Sequence, residues 1–182
     1  MGSLSDIRNK VQRARSAMLS DFQREALRAG ADAAALVENR IVTKGEKENG
    51  QKLSAYSTNP VPAFFYFNRS RNNAGETAVR RRAKAKQGIS YKEFRQLNGL
   101  NTTHKNLEFT GEMWQGFGVK QVTVLRPGVA EVVIGGKNAR SESLLGYHSD
   151  REQTDITKPS QKEIQAVQRA IAERLAKMIE NA

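Results

Sequence analysis

Residues 119–136 read VKQVTVLRPGVAEVVIGG, and this stretch decides the fold class. Val122 and Val124 alternate with polar neighbours, and Ala130, Val132 and Ile134 do the same. A period of two is the signature of a half-buried strand. The two runs, about 119–125 and 129–134, are joined across Arg126-Pro127-Gly128, and Gly135-Gly136 closes the second. The spacing predicts an antiparallel hairpin.

Toward the C-terminus, residues 137–158 are polar, with Leu144, Leu145 and Tyr147 as their few anchors. Pro159 and a Ser160/Glu163 capping box then announce a helix with the stripe Ile164, Val167, Ile171, Leu175 and Met178. Toward the N-terminus, residues 106–118 carry Leu107, Phe109, Met113, Trp114 and Phe117. Before them, a Ser90/Glu93 capping box opens a short helix with Tyr91, Phe94 and Leu97 on one face, stopped by Asn98-Gly99.

Residues 68–88 have almost no apolar content, and Asn72, Asn73 and Gly75 predict a loop running into the basic stretch Arg80 to Lys86. Little there offsets the entropy of ordering, so a mobile arm is expected. Asn59-Pro60-Val61-Pro62 forces extended backbone. Phe64, Phe65, Tyr66 and Phe67 follow, as a buried strand or core plug, or as an exposed docking patch. Gly45 and Gly50 bracket a charged turn.

The first segment, about 5–41, has Ile7, Val11, Ala14, Met18 and Phe22 at helical spacing, with Ser3 and Asp6 as a capping pair. Gly30 is expected to weaken or bend this helix, and the alanines between 29 and 35 to permit close packing. The sum is one α+β domain over residues 1–182: a long N-terminal amphipathic helix, an extended basic insertion at about 59–90, a small antiparallel hairpin and a C-terminal helix.

The 182 residues carry a net charge of +11 and no cysteine. The first favours acidic partners; the second removes disulfides and thiolate chemistry. From Arg69 to Lys105 there are ten basic residues and two acidic ones, Glu76 and Glu93, so the excess belongs to one segment. Arg69, Arg71, Arg80, Arg81, Arg82, Lys84 and Lys86 form the candidate interaction arm, with Phe64, Phe65, Tyr66, Phe67 and Trp114 as candidate docking or core aromatics. No apolar run is long enough to cross a bilayer, so no membrane partner is expected.

Candidate chemistry is sparse. Gly135-Gly136-Lys137 fails as a phosphate loop, because Glu131 replaces the first glycine and Asn138 the magnesium-binding hydroxyl. His148-Ser149-Asp150 has triad residue types but no nucleophile elbow. His104 and His148 are far apart and outside any metal-ligand spacing. No catalytic, cofactor or metal site is expected. A basic arm without a nucleic-acid-binding module points at most to non-specific phosphate contact.

Several short motifs occur in a familiar order. A glycine-bracketed turn, Gly45 to Gly50, leads to Gln51-Lys52-Leu53-Ser54. Leu107-Glu108-Phe109-Thr110-Gly111-Glu112-Met113 precedes the hairpin, Tyr147-His148 follows it, and Pro159 opens the last helix. In this order the chain resembles the virion-morphogenesis and tail-component families of tailed phages. The resemblance implies a structural, non-enzymatic subunit at the head–tail neck or tail end, assembled in the host cytoplasm into the virion. It implies a homo-oligomeric ring that docks on portal, connector or tail-tube proteins, as a tail-completion, stopper or terminator subunit. The basic insertion around Arg80 departs from the compact family pattern. The alternative is a basic, non-specific nucleic-acid-binding protein.

Overall fold

A computed structural model of the chain describes residues 4–20, 22–108, 110–126 and 128–180, with the side chains of 14, 17–20 and 179 left outside that description. The expected cap at Ser3, the side chains of Ala14 and Met18, and Phe109 and Pro127 fall outside the described residues. The architecture is α+β, with two small antiparallel sheets among the helices.

Two strands, β3 (Phe117–Arg126) and β4 (Val129–Gly136), form the hairpin and pair Val119 with Ile134 and Val122 with Val132. Register shifts between Val119 and Gln121 and between Val124 and Arg126 bend the ribbon. Helix α2 (Phe22–Asn39) lies across it. Gly30 makes that crossing possible. A Cβ there would sit 2.4 Å from Val132 Cγ1 and 2.8 Å from Val119 Cγ2. The missing side chain of Gly30 is therefore the contact surface, a role beside its expected effect on the helix. The second helix edge lies against α7 (Gln161–Glu180), whose Arg174 donates to Asp32 at 2.9 Å. Val167, Ile171, Leu175 and Met178 of the predicted stripe are half-buried, and Ile164 is exposed.

The main core gathers Val37, Ile41, Leu53, Trp114, Phe117, Leu145 and Ile156 from all along the chain. Two helices complete it. Residues 139–152, expected only to be polar, form a helix, α6: the Asn138 side chain accepts from Ser141 N at 2.8 Å and Gln153 closes it in the left-handed region. The base of the hairpin packs so closely on α6 that a Cβ on Gly136 would meet Glu142 N at 2.4 Å. Residues 112–115 form a single short helix, α5, that buries Met113 and Trp114.

A second, smaller core lies in the insertion: Ala63, Val79, Ile89 and Phe94. Here β1 (Pro60–Pro62) pairs with β2 (Gly88–Ser90), Val61 opposite Ile89. Between them runs α3 (Asn73–Lys84), and after them α4 (Tyr91–Leu97), capped by Ser90 Oγ accepting from Glu93 N at 3.2 Å. The mobile arm expected at 68–88 is thus corrected to a folded unit. Asn72 caps α3 by accepting from Gly75 N at 2.7 Å, Glu76 sits in the first turn, and Arg81, Arg82 and Lys84 sit in the last. That charge order suits the helix dipole, and the buried Val79 supplies the apolar contact that composition alone understates.

Helix α1 (Leu4–Ser20) precedes these units. Its Leu4, Ile7 and Val11 follow helical spacing yet all three are exposed, Leu4 at 87%.

Candidate interaction surfaces and central cleft

The predicted aromatic run divides. Residues 63–66 make one 3₁₀ turn, which puts Ala63 and Tyr66, three residues apart, on one face toward the small core. Tyr66 stacks on Phe94 with ring centres 4.3 Å apart, and Phe67 receives the Arg80 guanidinium at 4.8 Å. Phe64 and Phe65 stack on each other at 4.7 Å and stay 59% and 52% exposed. Tyr66 and Phe67 therefore pack against the small core, while Phe64 and Phe65 stay exposed. Trp114 is core, edge-on to Phe117 at 5.5 Å.

The basic residues are likewise sorted. Arg80 pairs with Glu76 at 2.8 Å and Arg82 with Glu93 at 2.6 Å. Arg69, Arg71, Arg81, Lys84 and Lys86 are exposed and have no acidic partner among the described residues. They lie around the small core as a charged outer surface.

Three polar clusters were not legible in the sequence. Arg40, at the end of α2, donates to Glu163 at 2.9 Å, Glu46 O at 2.8 Å and Lys158 O at 2.9 Å, tying three distant segments. Glu152 accepts from Ser54 N at 2.9 Å, Ser54 Oγ at 2.6 Å and Lys105 Nζ at 2.5 Å. Burial alone would raise the Glu152 carboxyl, but hydrogen bonds from Lys105 and Ser54 and the Lys105 charge outweigh it and lower it to about 2. A carboxylate so acidic is a poor base, and it holds the Lys105 Nζ in an ion pair, so this serine–lysine contact is a staple and not an activated nucleophile.

The third cluster centres on Arg95, 1% exposed. Its Nε donates to Asn101 O at 3.1 Å, Nη1 to Glu108 O at 2.7 Å and Nη2 to Asn106 Oδ1 at 2.9 Å. The guanidinium lies 4.3 Å over the Tyr56 ring, whose hydroxyl donates to the same Asn106 oxygen at 3.0 Å. Every acceptor here is a neutral oxygen.

Between the two cores opens a cleft of about 410 Å³. One wall carries Tyr56, Tyr91 and Arg95; the floor Lys105, Leu107 and Met113; the far wall Leu144, Tyr147, His148 and Arg151 from α6. Burial, reinforced by Lys105 and Arg151 against the opposing Glu152, pushes His148 down to about 4, so it is neutral near pH 7. Its Nδ1 is buried without a hydrogen-bond partner. Ser149, the next residue of the sequence triad, instead accepts from Ile156 N at 3.3 Å, so His148-Ser149-Asp150 is not brought together as a relay. His104 lies elsewhere, its Nε2 2.9 Å from Val42 O.

Comparison with known protein families, curated proteins and solved structures yields no match. The functional reading rests on these surfaces. No described helix is long and apolar enough to cross a membrane, and no cluster of metal-ligating side chains occurs among the described residues.

Proposed function

We propose that the chain is a structural subunit of a tailed-phage particle, placed at the head–tail neck or tail end and acting by assembly and not by catalysis. The observation that carries this reading is unspent apolar surface in three separate places. Leu4, Ile7 and Val11 line one side of α1; Val124, Leu125 and Val129 sit at the hairpin tip; Phe64 and Phe65 cap the insertion. A monomer keeps these in water, at roughly 25 cal/mol for each Å² of apolar surface left unburied. A ring subunit has two different faces and covers such patches against its neighbours. The order of short motifs supports the same family. The long N-terminal helical segment and the basic insertion are then the elements that clasp an adjacent copy and dock on portal, connector or tail-tube proteins.

The test is native mass spectrometry and negative-stain electron microscopy of the purified chain, with proteomic analysis of mature particles. A closed ring present in virions is expected. A strict monomer at micromolar concentration that is also absent from particles overturns the proposal.

The unpaired Arg81, Lys84 and Lys86 favour a second reading, non-specific binding to nucleic acid. It requires DNA affinity that falls steeply with salt and is abolished by neutralising Arg80, Arg81, Arg82, Lys84 and Lys86. Affinity unchanged by those substitutions removes it.

A further inference from the structure

The cleft between the two cores holds an electrostatic imbalance. Among its lining residues Arg95, Lys105, Arg140 and Arg151 face one carboxylate, Glu112. Lys105 is neutralised by Glu152, and Arg140 reaches Glu112 only at 3.6 Å from an exposed position. Arg151 is exposed, and its side chain donates to the Tyr147 hydroxyl at 3.3 Å, its one side-chain hydrogen bond among the described residues. Arg95 is the decisive member. It is a buried guanidinium and, among the described residues, bonded only to neutral oxygens. A buried cation without an anion costs several kcal/mol.

Two further features mark the same cleft. His148 Nδ1 is buried and unpartnered on its α6 wall. Leu107 on the floor has φ +55°, a left-handed conformation that costs a non-glycine residue roughly 1–3 kcal/mol and clusters at functional sites. The lining is not only charged: Leu107, Met113 and Leu144 give it an apolar surface.

We propose that this cleft binds an acidic peptide segment of a partner protein. One carboxylate enters beside Arg95, Arg140 and Arg151, and an aliphatic neighbour packs on Leu107, Met113 and Leu144. The guest anion supplies the counter-charge that Arg95 lacks. The mixture of apolar floor and cationic rim suits a peptide that alternates acidic and aliphatic side chains. A second copy of this chain is a poorer guest, because a net charge of +11 on each copy repels it. The inference goes beyond the ring reading and does not depend on it.

Two histidines make the test simple, since His148 lines the cleft and His104 does not. The full-length chain is titrated with acetyl-Leu-Glu-Asp-Leu-amide and related Glu/Asp–Leu tetrapeptides while both imidazole resonances are followed by NMR. The expected result is a saturable shift of His148, an unmoved His104, and no effect from the lysine counterpart. Arg140→Glu with Arg151→Glu, both at exposed positions, should weaken binding by about tenfold or more while the unliganded spectrum stays that of a folded protein. The proposal is overturned if no acidic tetrapeptide moves His148 at low millimolar concentration. It is also overturned if both histidines move together, or if inorganic phosphate or a short oligonucleotide saturates the same shift more tightly than the peptides.

Discussion

The two cores of this protein are built by different means. The main core draws its buried residues from Ala34 to Ile156 and is stitched by ion pairs between distant segments, Arg40 with Glu163 and Lys105 with Glu152. The core of the insertion has four buried hydrophobic residues, all between Ala63 and Phe94, and its ion pairs are local or lie at its surface. Non-local contacts carry a larger loop-closure cost but bind the chain as a whole. Local ones are cheap to form and easily lost one unit at a time. The difference teaches that the insertion is a semi-independent appendage: folded, small, and clothed in positive charge.

The largest expected effect breaks the main core. Glu152→Ala leaves Lys105 buried without its anion and frees the Ser54 hydrogen bonds. Removing one partner of such a pair costs about 3–5 kcal/mol. Urea denaturation should show that loss as a single cooperative transition at lower denaturant. A loss under about 1 kcal/mol would contradict the role given to this pair.

The next effect attacks the appendage. Phe94→Ala removes a ring that is 2% exposed and stacked on Tyr66, at a cost of about 3 kcal/mol. The damage should be regional. Hydrogen exchange by mass spectrometry is expected to speed up across residues 60–97 first, with α2 and the hairpin still protected. Uniform acceleration over the whole chain would show that the two cores are one cooperative unit.

How much of this was legible in the sequence depends on the range of the signal. The hairpin, the capping boxes at Ser90 and Ser160 and the terminal helix are local patterns, and each lies where its period and caps place it. The misread segments are those where weak local signals were completed by distant partners. Helix α3 looked like a mobile loop because its sole buried aliphatic side chain, Val79, is surrounded by arginine and asparagine. Helix α6 reads in sequence only as a polar segment because Ser141, Ser143, Gly146 and Ser149 are poor helix formers. In sequence its Asn138 cap reads only as a failed magnesium ligand. Glycines 30 and 136 carry no hint in sequence of the helices pressed against them. The cleft was invisible for the same reason: Arg95, Lys105, His148 and Arg151 come from three stretches, and only folding reveals that Arg95 has no carboxylate partner among the described residues.

The smallest effect probes the seam between the two cores, where His148 lies. The folded protein holds its imidazole at about 4, against an ordinary 6.5, chiefly through burial and then through Lys105 and Arg151, with Glu152 pulling the other way. As pH falls below 6.5, the unfolded chain takes up a proton that the folded chain refuses. Stability therefore declines with acid between about 6.5 and 4. Glu152 acts in a lower window: its depressed pKa contributes stability that is full above about 4.5 and lost as pH falls toward 2. The interval from 6.5 to 5 thus separates the histidine from Glu152. His148 is partly open to solvent, which reduces the effect over the full window to about 1–2 kcal/mol. His148→Gln keeps a polar side chain but cannot titrate, so its stability should be flat over that interval where the parent chain slopes. An unchanged slope in the variant would place the acid-sensitive group elsewhere. A flat profile would instead mark the cleft wall as the point where acid first weakens the join between body and appendage.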